Sequence, residues 1–232
     1  AGFQGVEYLF PYAFDADEIK QKLDANNLGQ VLFNVPAGDW DAGDRGIAVD
    51  PARVEEFQAG VPKAIAYAKK LGCKQVNCLA GIVPQGVTPQ DAQATFVINL
   101  HYAANALAAE GISLVIEAIN TRDIPGFFLN TTEQAKAIIT EVASDNLSIQ
   151  YDIYHMQIME GDLTPTMQQN IGQIAHVQLA DNPGRHEPGT GEINYPFVVN
   201  YLDELGYQGW VGCEYKPKTT TTEGLGWLNQ YR

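Results

Sequence analysis

The sequence lacks the features of several common protein classes. It has only three cysteines, Cys73, Cys78 and Cys213, which form neither a CxxC pair nor a disulfide framework. Their odd count and apolar neighbours predict buried thiols in a reducing compartment. No stretch approaches the length of a membrane span, and no basic-then-apolar leader opens the chain. Together these absences predict a cytoplasmic protein that does not interact with membranes.

Basic residues are also scarce. Lys and Arg number 14 against 28 Asp and Glu, for a formal net charge of −14 at pH 7. Because nucleic-acid binding requires clustered positive charge, we expect no nucleic-acid partner. An anionic substrate would need a locally placed basic residue or a metal ion. The first apolar run is not followed by the glycine-rich loop that a doubly wound sheet usually shows.

Short strand-like runs alternate with longer amphipathic stretches along the chain. Seven such runs cover residues 4–10, 30–35, 75–80, 113–119, 148–153, 175–180 and 210–215. Several are almost continuously apolar, which is typical of strands buried on both faces of a parallel sheet. Helix starts are predicted at Thr88-Pro89 and Thr164-Pro165, a capping box at Thr131 to Gln134, and a helix end at Gly72.

This alternation predicts a single α/β domain over residues 1–232, folded as a (β/α)8 TIM barrel. A closed barrel needs eight strands, whereas the pattern supplies seven. A barrel of seven units would leave two sheet edges unpaired, so we expect a first strand–helix unit to be missing from this sequence. Long loops at residues 36–51 and 181–195 carry charged and aromatic residues and are candidate substrate lids.

Four successive strand-like runs each end in a side chain that can bind a metal through oxygen. These side chains are Glu117, Asp152, Gln178 and Glu214, and each spacing is about one strand–helix unit. The carboxyl ends of barrel strands meet at one face, where such barrels place their chemistry. Three crowded carboxylates repel one another unless a cation binds them. Oxygen ligation with one neutral amide predicts a single divalent cation, Mg²⁺ or Mn²⁺.

Two histidines lie close to these positions. His155 follows Asp152 by three residues and is predicted to contact or polarise substrate. His176 lies two residues before Gln178, so it points to the same side of the strand, one layer deeper. We expect His176 to pack in the core or to support the ligands.

Further substrate-binding candidates lie in the loops and at the ends of earlier strands. Arg185 follows Gln178 in a glycine-rich loop, and its guanidinium group would suit a carboxylate or hydroxyl partner. Lys216, two residues past Glu214, is a second candidate for that task. Glu7 and Asn77 could face the pocket, although either could equally cap a loop.

Four longer segments resemble the hydroxypyruvate isomerase family, within the wider xylose-isomerase-like group of barrels. They are residues 5–12 (GVEYLFPY), 185–196 (RHEPGTGEINYP), 206–217 (GYQGWVGCEYKP) and 223–227 (EGLGW). The resemblance covers essentially the whole chain, except that family members begin with a further strand and helix. Related sugar epimerases often have His where Gln178 stands, which favours the isomerase branch.

The resemblance implies that Glu117, Asp152, Gln178 and Glu214 bind one divalent cation and that the two glutamates are the acid–base pair. It also implies that His155 and Arg185 contact substrate. The expected reaction converts hydroxypyruvate, a small anionic hydroxy-oxo acid, to tartronate semialdehyde through a metal-stabilised enediolate. The alternatives are isomerisation of a 2-oxo-tetronate, ketose 3-epimerisation, a metal-dependent endonuclease and a non-catalytic sugar-acid binding module. The sequence leaves a homo-oligomer open.

Overall fold

The computed structural model describes residues 2–231, and its strands follow the predicted order. The strands are β1 (Gly5–Glu7), β2 (Gly29–Leu32), β3 (Gln75–Cys78), β4 (Ser113–Glu117), β5 (Leu147–Asp152), β6 (Ile174–Leu179) and β7 (Val211–Cys213). Strands β3 to β7 form one parallel sheet in chain order, and β1 pairs in parallel with β2. A parallel bridge between Asn34 and Asn77 connects the chain after β2 to β3. All seven predicted strands are confirmed.

Seven α-helices alternate with these strands along the described chain. They are α1 (Ala16–Ala25), α2 (Val54–Leu71), α3 (Pro89–Ala108), α4 (Thr132–Val142), α5 (Ile153–Met159), α6 (Leu163–Asn170) and α7 (Tyr195–Glu204). Short 3-10 helices cover Pro51–Arg53, Ile171–Gln173 and Glu223–Tyr231. The alternation and the parallel pairing confirm the TIM-barrel fold class. No helix among residues 2–231 has the length and apolar character required to cross a membrane.

Three of the four predicted helix boundaries are confirmed. Thr88 accepts a hydrogen bond from the Asp91 N–H at the start of α3, and Gly72 ends α2 in the left-handed region at φ 72°. At α4 the two predicted residues cap the helix, with the return bond going to the residue before Thr131. Its Thr131 hydroxyl accepts from the Gln134 N–H, and the Gln134 side chain accepts from the Asn130 N–H.

The helix start predicted at Thr164-Pro165 is wrong by two residues. Helix α6 begins at Leu163 after Asp162, whose backbone is left-handed at φ 46° and whose side chain makes no capping bond. The turn at Gly161 and Asp162 already directs the chain into the helix. Pro165 therefore falls in the first turn, where its missing N–H costs no helical hydrogen bond.

Side-chain alternation along the strands separates an apolar layer from a polar interior. Outward residues such as Tyr151 and Val177 are buried against the helices. Inward residues of the same strands are polar, including Gln150 on β5 and His176 and Gln178 on β6. Because the period of a strand is two residues, this inner row leads directly to the ligand candidates at the strand ends.

Strands β1 and β7 border a groove lined by Phe3, Val31 and Trp210. Within residues 2–231, no strand pairing joins β1 to β7. The Glu7 side chain of β1 nevertheless lies against the backbone of β7, because a Cβ at Gly212 would collide with its carboxylate. The expected additional strand–helix unit and the single domain over residues 1–232 stay predictions.

Candidate active site

A cavity of about 500 Å³ opens at the carboxyl ends of the strands. This volume lies within the usual range for small-molecule sites. Predicted site residues from six separate segments line the cavity, namely Glu7, Glu117, His155, Gln178, Arg185, Glu214 and Lys216. Asn77 and Asp152 lie directly behind this lining, in contact with Glu117 and with His155 respectively. The fold thus brings all nine predicted positions to one place.

Asp152 ends β5 and caps the helix that follows it. Its Oδ1 accepts hydrogen bonds from the N–H groups of Tyr154, at 2.7 Å, and His155, at 3.2 Å. The other oxygen, Oδ2, is buried and has no hydrogen-bond partner among the described residues. An unpartnered buried carboxylate oxygen is costly. Its position is suited to a cation ligand.

Glu117 is the last residue of β4 and is also buried. Its Oε2 accepts a hydrogen bond of 3.2 Å from the Asn77 side-chain amide. Burial raises the pKa of Glu117 well above its ordinary value, and the nearby charges of Glu214 and Asp152 raise it further. The metal-free site therefore disfavours the charged form of this glutamate.

His155 presents a proton donor to these two carboxylates. Its Nε2 lies 3.7 Å from Glu117 Oε1 and 3.7 Å from Asp152 Oδ2. The other ring nitrogen, Nδ1, accepts from the Asn120 backbone N–H at 3.4 Å and faces the Asn120 side-chain nitrogen at 2.6 Å. That side chain is held in place because its oxygen accepts from the Asp123 N–H at 2.7 Å. The ring proton of neutral His155 is thus on Nε2.

Burial lowers the pKa of His155, which favours this neutral form. Ligand atoms of Glu117, Asp152 and His155 all lie within 4.8 Å of one another. This grouping fits a divalent cation, and ligation by His155 through Nε2 would require its ring proton to be on Nδ1 instead. It differs from the predicted ligand set, which has Gln178 and Glu214 in place of His155.

Gln178 and Glu214 complete the ring of strand ends. The Gln178 amide nitrogen donates to Glu7 Oε1 at 2.8 Å, and its oxygen accepts from the Gln150 amide at 2.5 Å. Glu214 Oε1 accepts from Arg185 Nη2 at 3.0 Å. Burial raises the pKa of Glu214 to about 7, with Arg185 opposing the shift and Asp152 adding to it.

Arg185 is carried by a loop that a buried carboxylate organises. Asp181 accepts hydrogen bonds from five backbone N–H groups, those of Asn182, Gly189, Thr190, Gly191 and Ile193. The Arg185 guanidinium group lies 5.1 Å from the Tyr154 ring centre and 3.7 Å from Asp123. Its pKa is raised, because the surrounding carboxylates outweigh the cost of burial.

Lys216 lies at the rim of the cavity with an exposed side chain. Its backbone N–H donates to the Arg185 carbonyl at 2.8 Å, and its own carbonyl lies 2.7 Å from His186 Nδ1. Among the described residues its side chain forms no salt bridge. The segment after β7 is therefore joined by its backbone to the loop that carries Arg185.

Sequence reasoning missed three residues around His155 and Arg185. Asn120 and Asp123 follow the Glu117 strand end, and the Tyr154 hydroxyl donates to Asp123 Oδ2 at 3.0 Å. The only sequence signal was their proximity to a predicted ligand. Contacts between residues from different strand ends become visible only in the folded chain.

The comparisons with known proteins agree with this fold. The profile of the xylose isomerase-like TIM barrel family matches residues 1–231, and the chain belongs to that family. Its sequence is 56% identical to hydroxypyruvate isomerase of Escherichia coli K12 over 231 residues, which cover all of this chain and 90% of that protein.

It is also 47% identical to a 2-oxo-tetronate isomerase of Cupriavidus necator, over 99% of this chain and 88% of that protein. Full-length similarity at this level shows that the protein is an isomerase. A solved structure described as AP endonuclease, family 2, from Brucella melitensis superposes with a TM-score of 0.97 at 46% identity. The superposition covers 100% of this chain and 89% of that one.

Proposed function

We propose that the protein is a metal-dependent aldose–ketose isomerase that converts hydroxypyruvate to tartronate semialdehyde. The observation that carries this proposal is the convergence of Glu117, Asp152 and Glu214 with the amide of Gln178 in one cavity. The unpartnered Oδ2 of Asp152 and the raised pKa of Glu117 are the features expected of a carboxylate site without its cation. An all-oxygen donor set favours Mg²⁺ or Mn²⁺.

A divalent cation bound there would polarise the substrate's carbonyl and hydroxyl oxygens and offset the negative charge of the enediolate. Glu117 or Glu214 removes a proton from C3 of hydroxypyruvate, the carbon that bears the hydroxyl group. A proton is then returned to C2, and the hydroxyl proton moves from the oxygen on C3 to the oxygen on C2. Positioned proton transfer of this kind contributes roughly 10²–10⁴-fold in rate.

Both glutamates must be ionised to bind a cation or to act as a general base. Without a cation, burial raises the pKa of both, and a cation bound between them would lower it again. His155 directs its Nε2 proton toward Glu117 and Asp152, so it can donate to a substrate oxygen held between them. The two glutamates thus move the carbon-bound protons, while His155 donates a hydrogen bond to a substrate oxygen.

The substrate carboxylate needs a positive partner in a strongly acidic protein. Arg185 already pairs with Glu214 and lies near Asp123, and it is fixed in place by these contacts. Lys216 has an exposed side chain with no salt bridge among residues 2–231. We assign the carboxylate to these two cations, with Arg185 deeper in the cavity. Asn77 and Glu7 bind protein groups, so their predicted contacts with substrate would require those groups to move.

A 2-oxo-tetronate is the second candidate substrate. The relative from Cupriavidus necator carries that name at 47% identity, and a cavity of about 500 Å³ has room for a fourth carbon atom. The chemistry at the two reacting carbons would be the same. Solved sugar epimerases are similar at 24% identity or less, a level that establishes the fold alone. An endonuclease would need a basic groove, which a net charge of −14 opposes.

A substrate panel tests the proposal. Protein freed of metal with EDTA is incubated with hydroxypyruvate, a 2-oxo-tetronate or a ketohexose, with and without Mn²⁺ or Mg²⁺, and products are identified by NMR. We expect tartronate semialdehyde from hydroxypyruvate only when metal is restored. Full activity after EDTA treatment would overturn metal dependence, and turnover of the ketohexose alone would overturn the substrate class.

A further inference from the structure

We infer that Glu7 is a positioning residue that sets which end of the Gln178 amide faces the cation site. The inference rests on the proposed metal site and adds to it a group that would not itself bind the cation. A glutamine can ligate through its oxygen but not through its NH₂ group. The orientation of this amide therefore decides whether Gln178 can serve as a ligand.

The contacts of Gln178 define that orientation. Its nitrogen donates to Glu7 Oε1 at 2.8 Å, across the barrel interior from β6 to β1. Its oxygen points the other way and accepts from the Gln150 amide at 2.5 Å. Because the oxygens of a carboxylate accept hydrogen bonds, Glu7 requires the nitrogen end. The oxygen end faces Gln150 on β5, the strand that ends in Asp152, while the nitrogen end also lies close enough to Glu214 to lower the pKa of that carboxyl.

Glu7 also faces His176. The His176 Nε2 lies 2.7 Å from Glu7 Oε2, a close polar contact that does not count as a hydrogen bond. On the far side of the ring, the Gln75 amide nitrogen lies 3.1 Å from Nδ1. Because that amide group donates, Nδ1 accepts, and the ring proton of neutral His176 is on Nε2, facing Glu7. Both Glu7 oxygens therefore face donors.

The barrel leaves room for this carboxylate at one glycine. Residue 212 on β7 is the neighbour of Gln178 in the sheet, and a Cβ there would collide with the Glu7 side chain. Gly212 thus allows Glu7 to reach Gln178. A carboxylate placed between two donors inside a barrel is positioned to orient them, as partners of metal ligands commonly do.

The experiment measures Mn²⁺ affinity by calorimetry, so it does not depend on turnover. Glu7→Gln presents a group that can donate as well as accept, and this allows the Gln178 amide to turn its nitrogen toward the site. We expect the affinity to fall roughly 10–100-fold. Glu160→Gln is the matched control, since Glu160 also accepts two hydrogen bonds, from Thr132, but lies outside the cavity lining. Its affinity should be unchanged.

The double variant Glu7→Gln/Gln178→Glu exchanges the amide and the carboxylate. It restores one donor and one acceptor between these positions and places an oxygen toward the site, so it should bind Mn²⁺ at least about 10-fold more tightly than Glu7→Gln alone. If Glu7→Gln fails to fold, the double variant is compared with the unsubstituted protein instead, and its Mn²⁺ affinity should lie within about 10-fold of that protein's. Binding by Glu7→Gln equal to that of the unsubstituted protein, or no recovery in the double variant, would overturn the positioning role alone. No Mn²⁺ binding by the unsubstituted protein would overturn the metal site as well.

Discussion

Replacing Glu117 by Gln should make the metal-free protein more stable and much less active. Glu117 is buried at 4% exposure, and its pKa is raised by burial and then by Glu214 and Asp152. Each unit by which the folded state raises this pKa corresponds to about 1.4 kcal/mol lost at a pH where the carboxyl is ionised. For a chain of this size, 1 kcal/mol shifts the melting temperature by roughly 2–4 °C.

The stability that the metal-free protein gains from Glu117→Gln should depend on pH. A carboxyl with a raised pKa in the folded state costs nothing below its unfolded pKa, because it is protonated in both states. The cost appears as pH rises above about 4.5 and is complete once pH exceeds the folded pKa. The variant should therefore melt above the unsubstituted protein at pH 8, and the difference should shrink toward pH 4.5.

Added Mn²⁺ should reduce or reverse the difference in melting temperature between Glu117→Gln and the unsubstituted protein. A cation at 100 times its Kd stabilises the protein it binds by about 2.7 kcal/mol, and the variant has lost one ligand charge. The assay is calorimetric melting at several pH values with and without Mn²⁺, alongside isomerase activity, which should fall roughly 10²–10⁴-fold. Glu133→Gln is the control, because the Glu133 side chain is 83% exposed and its pairing with Lys136 contributes little. A metal-free variant that melts at or below the unsubstituted protein at pH 8 would refute the argument from crowded carboxylates.

Three further predictions follow from the contacts around the cavity. Asn120→Leu removes the side-chain donor that orients His155, so kcat should fall roughly 10–100-fold, and an unchanged kcat would contradict the assigned tautomer. Asp181→Asn replaces one acceptor oxygen with an NH₂ group that, in either orientation, faces at least two of the five backbone N–H groups bound by Asp181, and should cost about 2–4 kcal/mol in urea unfolding and speed tryptic cleavage after Arg185. Cleavage at the original rate would contradict that role. Mn²⁺ binding should release protons at pH 6, because the metal-free pKa of Glu214 is about 7, and affinity should rise with pH up to about that value. Calorimetry in two buffers of different ionisation enthalpy measures this release, and its absence would contradict the raised pKa.

Much of the fold could be predicted because its signals are local. Each strand is a short apolar run, and caps such as Thr88 and Gly72 act through bonds to residues a few positions away. The error at Thr164 has the same origin. The motif favours a cap in isolation, but the left-handed turn at Asp162 starts the helix earlier. Two local patterns can each start a helix, and the backbone conformation of the preceding residues determines which of them does.

The candidate site was predictable in its members but not in their contacts. Glu117, Asp152, Gln178 and Glu214 share one position in successive units, so the periodicity of the chain identifies them together. The sequence could not show that Asn120 orients His155, because that contact joins residues from the ends of two different strands. Nor could it show that Glu7 binds Gln178, since those residues meet only across the barrel interior.

The sequence by itself therefore determined the parallel α/β fold, the order of its strands and the ring of candidate oxygen ligands at their carboxyl ends. These follow from the period of two residues within a strand and the regular length of each strand–helix unit. The tertiary structure alone decided how each side chain is used. It left Asp152 Oδ2 without a hydrogen-bond partner among residues 2–231, paired Glu214 with Arg185 and turned the Gln178 nitrogen toward Glu7. Hydrogen-bond direction and the pKa values of buried carboxyls depend on neighbours distant in sequence, and only the packing of the strands against one another supplies those neighbours.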